Sequence, residues 1–453
     1  MPETPITIQF EGKAVPCRID ATVAAALWEH GLRVLSHSPK YGRPRGLLCA
    51  RGHCMNCLMR VDGVPNVRTC HLPVADGLRI ERQDSGAFYA PPMQKLLNTT
   101  GHLLPVGFYY KWFTRPAAVS NCFMKGIRPM TGVGRLPERE NWNGDSPFES
   151  RDFGRLGTVV IGAGVAGMTA ALEADDDVLL VDDHPDPGGQ RRAALDRIAL
   201  NTPDVLAGLT DLDRLHRDLG SLASRVEDHD GIRFLPNTTL VGAWQPDMLL
   251  LRNEAGLIQL RARRVVWAAG AFDAMPLFED NDLPGLIGPR ALYRLLTRDG
   301  LTVRGLKTVV WGHGADLWAS ASLLHASGAQ VTLALDDRAS SDGALLETAH
   351  RFGWALQTNT DIVAASGRDG SLDHLELTSN GARHEIPCEL AVLCVHGKPT
   401  YDVPYQLGVD LVLDPERGGF VPRRADTAAT GSVSVVGEAA GMGPLDVLSE
   451  VSP

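Results

Sequence analysis

The sequence predicts an α/β fold in which a small β-rich domain precedes two units of alternating strand and helix. Three observations predict it. Four cysteines, Cys49, Cys54, Cys57 and Cys70, are spaced C-x4-C-x2-C-x12-C early in the chain. The apolar run Val159-Val160-Ile161 leads into Gly162-Ala-Gly164-Val-Ala-Gly167 and a helix-forming stretch. A second succession of strand, glycine turn, helix and strand begins at Thr308.

Residues 1–85 read as a β-grasp domain. Ile6-Thr-Ile-Gln-Phe10 alternates as a strand, Gly12-Lys13 turns, and Val15-Pro-Cys-Arg-Ile19 returns beside it. The alanine-rich residues 22–31 form a short helix. Leu58-Met-Arg-Val61, the turn Asp62-Gly63 and Leu78-Arg-Ile80 are strands that flank the cysteine loop. The cysteine intervals are those of a plant-type [2Fe–2S] ferredoxin loop with a later fourth thiolate, and Gly52 permits the turns that wrap sulfurs around two irons. Structural zinc usually shows two C-x2-C pairs, and here there is one. A dithiol at Cys54 and Cys57 would leave Cys49 and Cys70 unexplained. Disulfides fit poorly with the scattered Cys17, Cys122, Cys388 and Cys394. Arg51 and His53 lie inside the loop. Positive charge there favours a reduced cluster, and a solvent-facing position is an equally good reading.

Composition narrows the class. A chain of 453 residues exceeds one core and points to two or three domains. The net charge of −10 leaves no basic stripe for phosphate backbones, which excludes nucleic acid as a partner. No apolar run approaches the ~20 residues that span a bilayer. The N-terminus, Met1-Pro-Glu-Thr-Pro-Ile-Thr7, has neither a basic n-region nor an apolar h-region. The expected compartment is therefore the reducing cytoplasm, with membrane attachment at most peripheral, through an electron acceptor.

Residues 86–154 form a connecting segment, irregular and rich in prolines. Its stretch Leu104-Pro-Val-Gly-Phe-Tyr-Tyr-Lys-Trp-Phe113 is too aromatic for a solvated linker and is expected to pack on a domain or another subunit.

Residues 155–292 and 396–453 are expected to form one dinucleotide-binding domain. Gly162 makes the tight turn, Gly164 lets a pyrophosphate approach the backbone, and Gly167 lets helix and strand pack closely. Val178-Leu-Leu-Val181 is the next strand. It ends at Asp182, 20 residues past Gly162, where such a fold places an acid on the adenosine ribose. Val265-Val-Trp-Ala-Ala269-Gly270 runs a strand into a small-residue turn, where flavoproteins pass the cofactor. Val433-Ser-Val-Val-Gly437-Glu438 resembles the second flavin motif, with glutamate in place of the usual aspartate toward the ribityl chain. FAD, NAD and ADP share the adenosine and phosphate contacts, so the glycines admit any of the three.

Residues 293–395 read as an inserted NAD-binding-like domain. Thr308-Val-Val-Trp311, Gly312-His-Gly314, a helix over 315–327 and a strand over 330–335 ending at Asp336 repeat the pattern. Leu317 replaces the third glycine. The unit is open to two readings, a nicotinamide site or a retained scaffold with an empty or repurposed cleft.

Together these motifs give a two-dinucleotide-binding-domain flavoprotein, Rossmann-like, preceded by a β-grasp [2Fe–2S] ferredoxin-like domain. The chain resembles the N-terminal half of the alpha subunits of heterotetrameric sarcosine oxidase and of opine, proline and hydroxyproline dehydrogenases and hydrogen cyanide synthase. The specific parts are Arg43-Pro-Arg-Gly46, Pro65-Asn-Val-Arg68, Pro105-Val-Gly-Phe-Tyr-Tyr-Lys111, Ile127-Arg128, Gly188-Gly189-Gln190, Ala269-Gly270-Ala271 and Leu283-Pro-Gly285. The resemblance adds Gly189 and Gln190 to the cofactor-binding set. It departs in three ways. All four cysteines are present where sarcosine oxidase has lost them. The folate-binding C-terminal half is missing. The chain stops at Leu448-Ser-Glu-Val-Ser-Pro453, so the helix after the Gly437 motif is absent or very short.

The resemblance implies an electron-transfer subunit of a multi-subunit flavin-dependent amine or amino-acid dehydrogenase. An FAD-dependent, amine-oxidase-like beta subunit would oxidise the C–N bond, with further small subunits, an FMN at the subunit interface and an outside electron acceptor. No nucleophile or catalytic base stands out in this chain. Two other readings stay open: a self-contained NAD(P)H-dependent flavin reductase with its own ferredoxin domain, and a structural nucleotide-binding scaffold subunit.

Overall fold

The computed structural model describes residues 6–38, 41–83, 91–100, 103, 115–130, 149–244, 247–335, 343–423 and 432–443. The aromatic stretch 104–113, Asp336 and residues 448–453 lie outside them.

The first sheet is built from β1 (Ile6–Phe10), β2 (Lys13–Cys17), β3 (Leu58–Val61), β4 (Val64–Arg68) and β5 (Arg79–Arg82), in the order β2-β1-β5-β3-β4. Helix α1 (Val23–Glu29) lies with six of its residues, Val23 to Trp28, buried. The β1–β2 hairpin turns one residue earlier than its sequence suggests. Phe10 pairs with Lys13, and the two loop residues Glu11 and Gly12 both take positive φ, 51° and 77°, the backbone of a two-residue primed turn. The expected return strand accordingly starts at Lys13 and ends at Cys17.

The second sheet holds β6 (Ser150–Ile161), β7 (Val178–Val181), β8 (Ile232–Leu235), β9 (Thr239–Trp244), β10 (Met248–Asn253) and β11 (Gly256–Trp267), in the order β8-β7-β6-β11-β10-β9. The strand Val433–Val435 adds in parallel to β11. Helices α2 (Val165–Leu172), α3 (Gly189–Asn201) and α4 (Thr210–Glu227) belong to this unit. Strand β6 begins at Ser150 and pairs with β11 through Trp267, much longer than its four buried C-terminal residues alone would suggest.

Helix α5 (Pro289–Thr297) is buried on every face, Arg290 and Arg294 included. It leads to a parallel sheet containing β12 (Lys307–Gly312), β13 (Gln330–Leu335) and β14 (Leu390–Cys394), with Leu286–Ile287 and Ala355–Gln357 at its edges. Helix α6 (Gly314–Ala326) is the crossover from β12 to β13. Among the described residues, the connecting segment contains two helices, Pro91–Thr100 and Ala117–Met130. Pro91 and Pro92 open the first of these, where a missing N–H costs no helical hydrogen bond.

One contiguous buried core runs through all three sheets. It takes Ile8, Leu27 and Met59 from the first, Val160, Met168 and Leu195 from the second, and Leu292, Val310 and Leu333 from the third. Close approach fixes the β-grasp domain against the rest. A Cβ on Gly46 would lie 2.6 Å from the Pro284 side chain, and one on Gly300 would lie 2.7 Å from the Asp20 carbonyl. Arg43 meets Asp282 at 3.1 Å, Arg18 donates to Thr302 at 2.9 Å, and Thr22 N–H donates to the Asp299 carbonyl at 3.0 Å. The exposed Arg43–Asp282 pair is worth about 0–1 kcal/mol, so the packing, not the ion pair, holds this seam. The motifs Arg43-Pro-Arg-Gly46 and Leu283-Pro-Gly285, distant in sequence, are its two faces.

Candidate functional site: a cysteine loop against a dinucleotide cleft

The cysteine loop connects α1 to β3, and the fourth cysteine follows β4. Cys49, Cys57 and Cys70 are buried and Cys54 is half-buried. The sulfurs fall into two pairs at hydrogen-bond distance, Cys49 with Cys54 and Cys57 with Cys70. Within each pair one sulfur is pushed down as a thiolate, Cys49 by the Cys54 thiol and Cys57 by the Cys70 thiol. Among the described residues no group of three such side chains could hold a single metal ion. Two pairs suit a binuclear cluster with two thiolates per iron. Backbone N–H groups aim at the sulfurs: Cys54 N–H donates to Cys49 Sγ at 3.4 Å, and Gly52 and Asn56 serve Cys70 and Cys54. Positive φ at Ala50 (47°) and Gly52 (73°) turns those groups inward.

The dinucleotide cleft opens at the C-terminal ends of β6 and β7. Gly162, Gly164, Asp182, Gly189, Gln190, Ala269, Gly270 and Glu438 all line it. Gly167 and Gly437 do not. Gly167 stands behind the loop, where a Cβ would lie 1.8 Å from the Gly162 carbonyl oxygen, and Gly437 (φ 66°) starts the short turn that carries Glu438. Gly162, at φ 106°, would place a Cβ 2.3 Å from the Ala268 carbonyl. Gly164 differs: a Cβ there meets no protein atom within 4 Å. The chain's own packing demands glycine at 162 and 167, whereas at 164 the space is left to something else. Gly164 and Gly188 are the N-caps of α2 and α3, and neither helix start carries a side-chain cap. Two uncapped helix N-termini thus converge on one cleft, the arrangement that receives a pyrophosphate.

Asp182 accepts from the Ala163 N–H at 2.5 Å and the His184 N–H at 2.8 Å. Burial, with Asp183 beside it, pushes its carboxyl up to about 6. Asp183 is held down by Arg294 at 2.9 Å. Glu438 sits at the other end, gripped by Arg191 at 3.0 Å and Arg290 at 2.5 Å, which hold its carboxyl far below the usual range against the cost of burial. Arg191 also binds Asp316, Arg290 also binds Asp273, and Tyr293 donates to Asp316 at 2.9 Å. Sequence reasoning missed these arginines. Their signal was position: Arg191 directly follows Gly188-Gly189-Gln190, and Arg290 follows the Leu283-Pro-Gly285 stretch by five residues.

Both Arg51 and His53 line this cleft; Arg51 is half-buried, and His53 remains exposed to solvent as well. Arg51 donates to the Ala271 carbonyl at 3.1 Å, and the His53 ring lies 4.4 Å from that of Phe272. The cysteine loop and the dinucleotide cleft therefore adjoin. The second unit offers less. A small pocket is lined by His313, Gly314, Asp316, His396 and Arg417. Its helix α6 carries Asp316 in the first turn, and Leu317 is fully buried at the third-glycine position. A carboxylate there opposes a phosphate.

Residues 157–449, well over half of the chain, match the family described as pyridine nucleotide-disulphide oxidoreductase. The chain belongs to that family. Residues 3–85 match a 2Fe-2S iron-sulfur cluster binding domain. The sarcosine oxidase alpha subunit of Rhizobium meliloti is 27% identical over 357 residues, covering 74% of this chain and 34% of that one. An opine oxidase subunit of the same organism is 25% identical over 320 residues, covering 63% and 66%. The HcnA subunit of hydrogen cyanide synthase from Pseudomonas aeruginosa is 34% identical over 80 residues, covering 18% and 76%. The chain spans about a third of the length of the sarcosine oxidase alpha subunits it matches. Among solved structures, L-proline dehydrogenase from P. horikoshii superposes with a TM-score of 0.60 at 18% identity, over 97% of this chain and 70% of that one, a likeness of fold. The chain is thus a flavoprotein homologous to the N-terminal part of the sarcosine oxidase alpha subunits, with FAD and a [2Fe–2S] cluster as its cofactors. No helix among the described residues is long and apolar enough to cross a membrane.

Proposed function

We propose that this chain is the electron-transfer subunit of a multi-subunit flavin-dependent amine or amino-acid dehydrogenase, of the sarcosine, proline, hydroxyproline or opine type. Cys49, Cys54, Cys57 and Cys70 hold the cluster. Gly162, Gly164 and Gly167 shape the loop that receives the FAD pyrophosphate, with Gly189 and Gln190 at the second helix start. Asp182 faces the adenosine ribose, Ala269 and Gly270 pass the flavin end, and Gly437 positions Glu438 beside them. A partner beta subunit oxidises the substrate C–N bond, and an interfacial FMN and further small subunits follow the same family pattern. The compartment that fits the free thiols is the cytoplasm.

One observation carries this reading: the cysteine loop touches the dinucleotide cleft through Arg51 and His53. Two redox sites that share a wall are built to pass electrons. Bound in the cleft, FAD supplies the step from two-electron uptake to one-electron release that a cluster can accept. The protein's own part is positional. The two uncapped helix starts hold phosphate charge, Arg191 and Arg290 keep Glu438 ionised, and the inward N–H groups of the cysteine loop stabilise sulfur-centred negative charge.

The chain purified alone is expected to be coloured and to show little amine dehydrogenase activity, which its partner subunit restores. Full activity of the isolated chain would sink the proposal. A self-contained NAD(P)H reductase is disfavoured by Asp316 and Leu317 in the second unit. Rapid flavin bleaching by NADH or NADPH would reverse that preference.

A further inference from the structure

Arg51 enters the dinucleotide cleft from outside the fold that builds it. It lies in the cysteine loop between Cys49 and Cys54, yet its guanidinium reaches the Ala271 carbonyl at 3.1 Å, in the short strand Ala271–Phe272 after β11. Its charge also draws on the carboxyls of Asp182 and Asp183. It therefore sits along the cleft, between Asp182 and Asp183 on one side and the short strand Ala271–Phe272 on the other.

The other cations of the cleft are already committed. Arg191 is bound to Asp316 and Glu438, and Arg290 to Asp273 and Glu438. Arg51 has no carboxylate within ion-pair distance among the described residues. Its one hydrogen bond, to a backbone carbonyl, leaves most of its N–H donors free. A dinucleotide carries two phosphate charges into a cleft that already holds Asp182, Asp183 and Glu438. An arginine not yet neutralised is the group that electrostatics require there.

The backbone fixes where this arginine goes. Its neighbours Ala50 and Gly52 both take left-handed conformations, at φ 47° and 73°. For Ala50 that geometry is costly and persists only where the surroundings fix it. Cluster ligation at Cys49 and Cys54 pins the loop on either side of Arg51. We infer that Arg51 is a phosphate-binding residue of the dinucleotide cleft supplied by the cysteine loop, so that cluster retention and nucleotide binding are thermodynamically linked. The linkage is reciprocal, since whatever factor the cluster adds to nucleotide affinity, the nucleotide adds to cluster retention. This inference rests on the proposed occupancy of the first cleft.

The test uses the full chain with its cluster loaded and its nucleotide removed, titrated with ADP and with adenosine, with iron content measured on the same samples. ADP carries the contacts common to FAD and NAD, so the result does not hinge on which dinucleotide is native. Arg51→Gln is expected to keep its iron, to lose about 10- to 100-fold in ADP affinity, and to bind adenosine unchanged. Chelating the cluster out of the wild-type chain should weaken ADP by a similar factor, and saturating ADP should slow iron loss. ADP affinity within about threefold of wild type in iron-replete Arg51→Gln, or an equal loss for adenosine, overturns the inference. Should Arg51→Gln shed its iron, Arg51→Lys takes its place, because it keeps the charge without the fork. An ADP-specific loss of about threefold or more then supports the inference, and equality with wild type overturns it. A wild-type chain that binds neither ADP nor FAD refutes the cleft assignment instead, which keeps the two failures apart.

Discussion

Gly164→Ala separates a ligand role from a packing role. In the structure a Cβ at this position meets nothing within 4 Å, and the backbone, at φ −72° and ψ −174°, is one alanine adopts freely. The folding cost is limited to replacing glycine by alanine at a helix N-cap, about 0.5–1 kcal/mol, a shift of a few degrees in melting temperature. The ligand cost is larger. A methyl group there stands where a phosphate oxygen must approach the loop N–H groups and would remove one or two charge-assisted hydrogen bonds. Those are worth ~1.5–3 kcal/mol apiece. A total of about 2–4 kcal/mol weakens FAD and ADP binding roughly 30- to 700-fold. Gly167→Ala is the contrasting variant. Its Cβ would lie 1.8 Å from the Gly162 carbonyl oxygen, so it should lose about 1–3 kcal/mol or more of stability along with binding. Calorimetric titration and thermal melts of the same preparations read both quantities. A Gly164→Ala chain that binds FAD and ADP within threefold of wild type would refute the passage of a pyrophosphate over this residue.

Three further outcomes are expected. Cys57→Ser, which takes one sulfur from a buried pair, should abolish bound iron and the long-wavelength absorption while the FAD spectrum remains; full iron occupancy would contradict the ligand assignment. Glu438→Gln leaves Arg191 and Arg290 buried with a partner removed and should cost roughly 3–5 kcal/mol at neutral pH. Because the Glu438 carboxyl is held below its unfolded value, its stabilisation is complete above pH ~4.5 and is lost as pH falls further, so the gap between wild-type and variant melting temperatures should narrow in acid. Asp299 is the reverse case: burial pushes its carboxyl up to about 7, and its Oδ2 lacks a hydrogen bond. Folding then favours the protonated form, stability drops as pH rises from about 4 to 7, and Asp299→Asn should flatten that slope in melts across this range.

Local pattern made much of the fold readable. Strands such as Ile6–Phe10, Leu58–Val61, Val178–Val181 and Gln330–Leu335 begin and end where alternation or apolar runs place them, because each is bounded by a turn whose residues force it. The glycine loop was legible for the same reason. What escaped reading depends on contacts between distant segments. Arg290 becomes a cleft residue only because α5 is wedged where its arginines cannot reach water, and Arg191 meets it there because α3 packs against α5. Arg51 was open to two readings, a charge beside the cluster or a surface residue, and the seam that brings Ala271 against it gave a third position. The conjunction of Gly46 with Pro284 has no periodic signature, since each half is an ordinary loop until it meets the other.

That seam decides what kind of carrier the cysteine domain can be. A ferredoxin on a tether collects charge at one place, diffuses, and delivers it at another, so its turnover slows in viscous solvent. Here Gly46 and Gly300 leave no room for even a methyl group between the partners, and the core continues across the boundary. The domain cannot swing. Its cysteine loop has one side turned to the cleft, while on the other Met55, next to the half-buried Cys54, is 57% exposed. Under the proposed electron-transfer role, an acceptor would have to travel to that outer edge, and turnover on the inward side would be indifferent to viscosity.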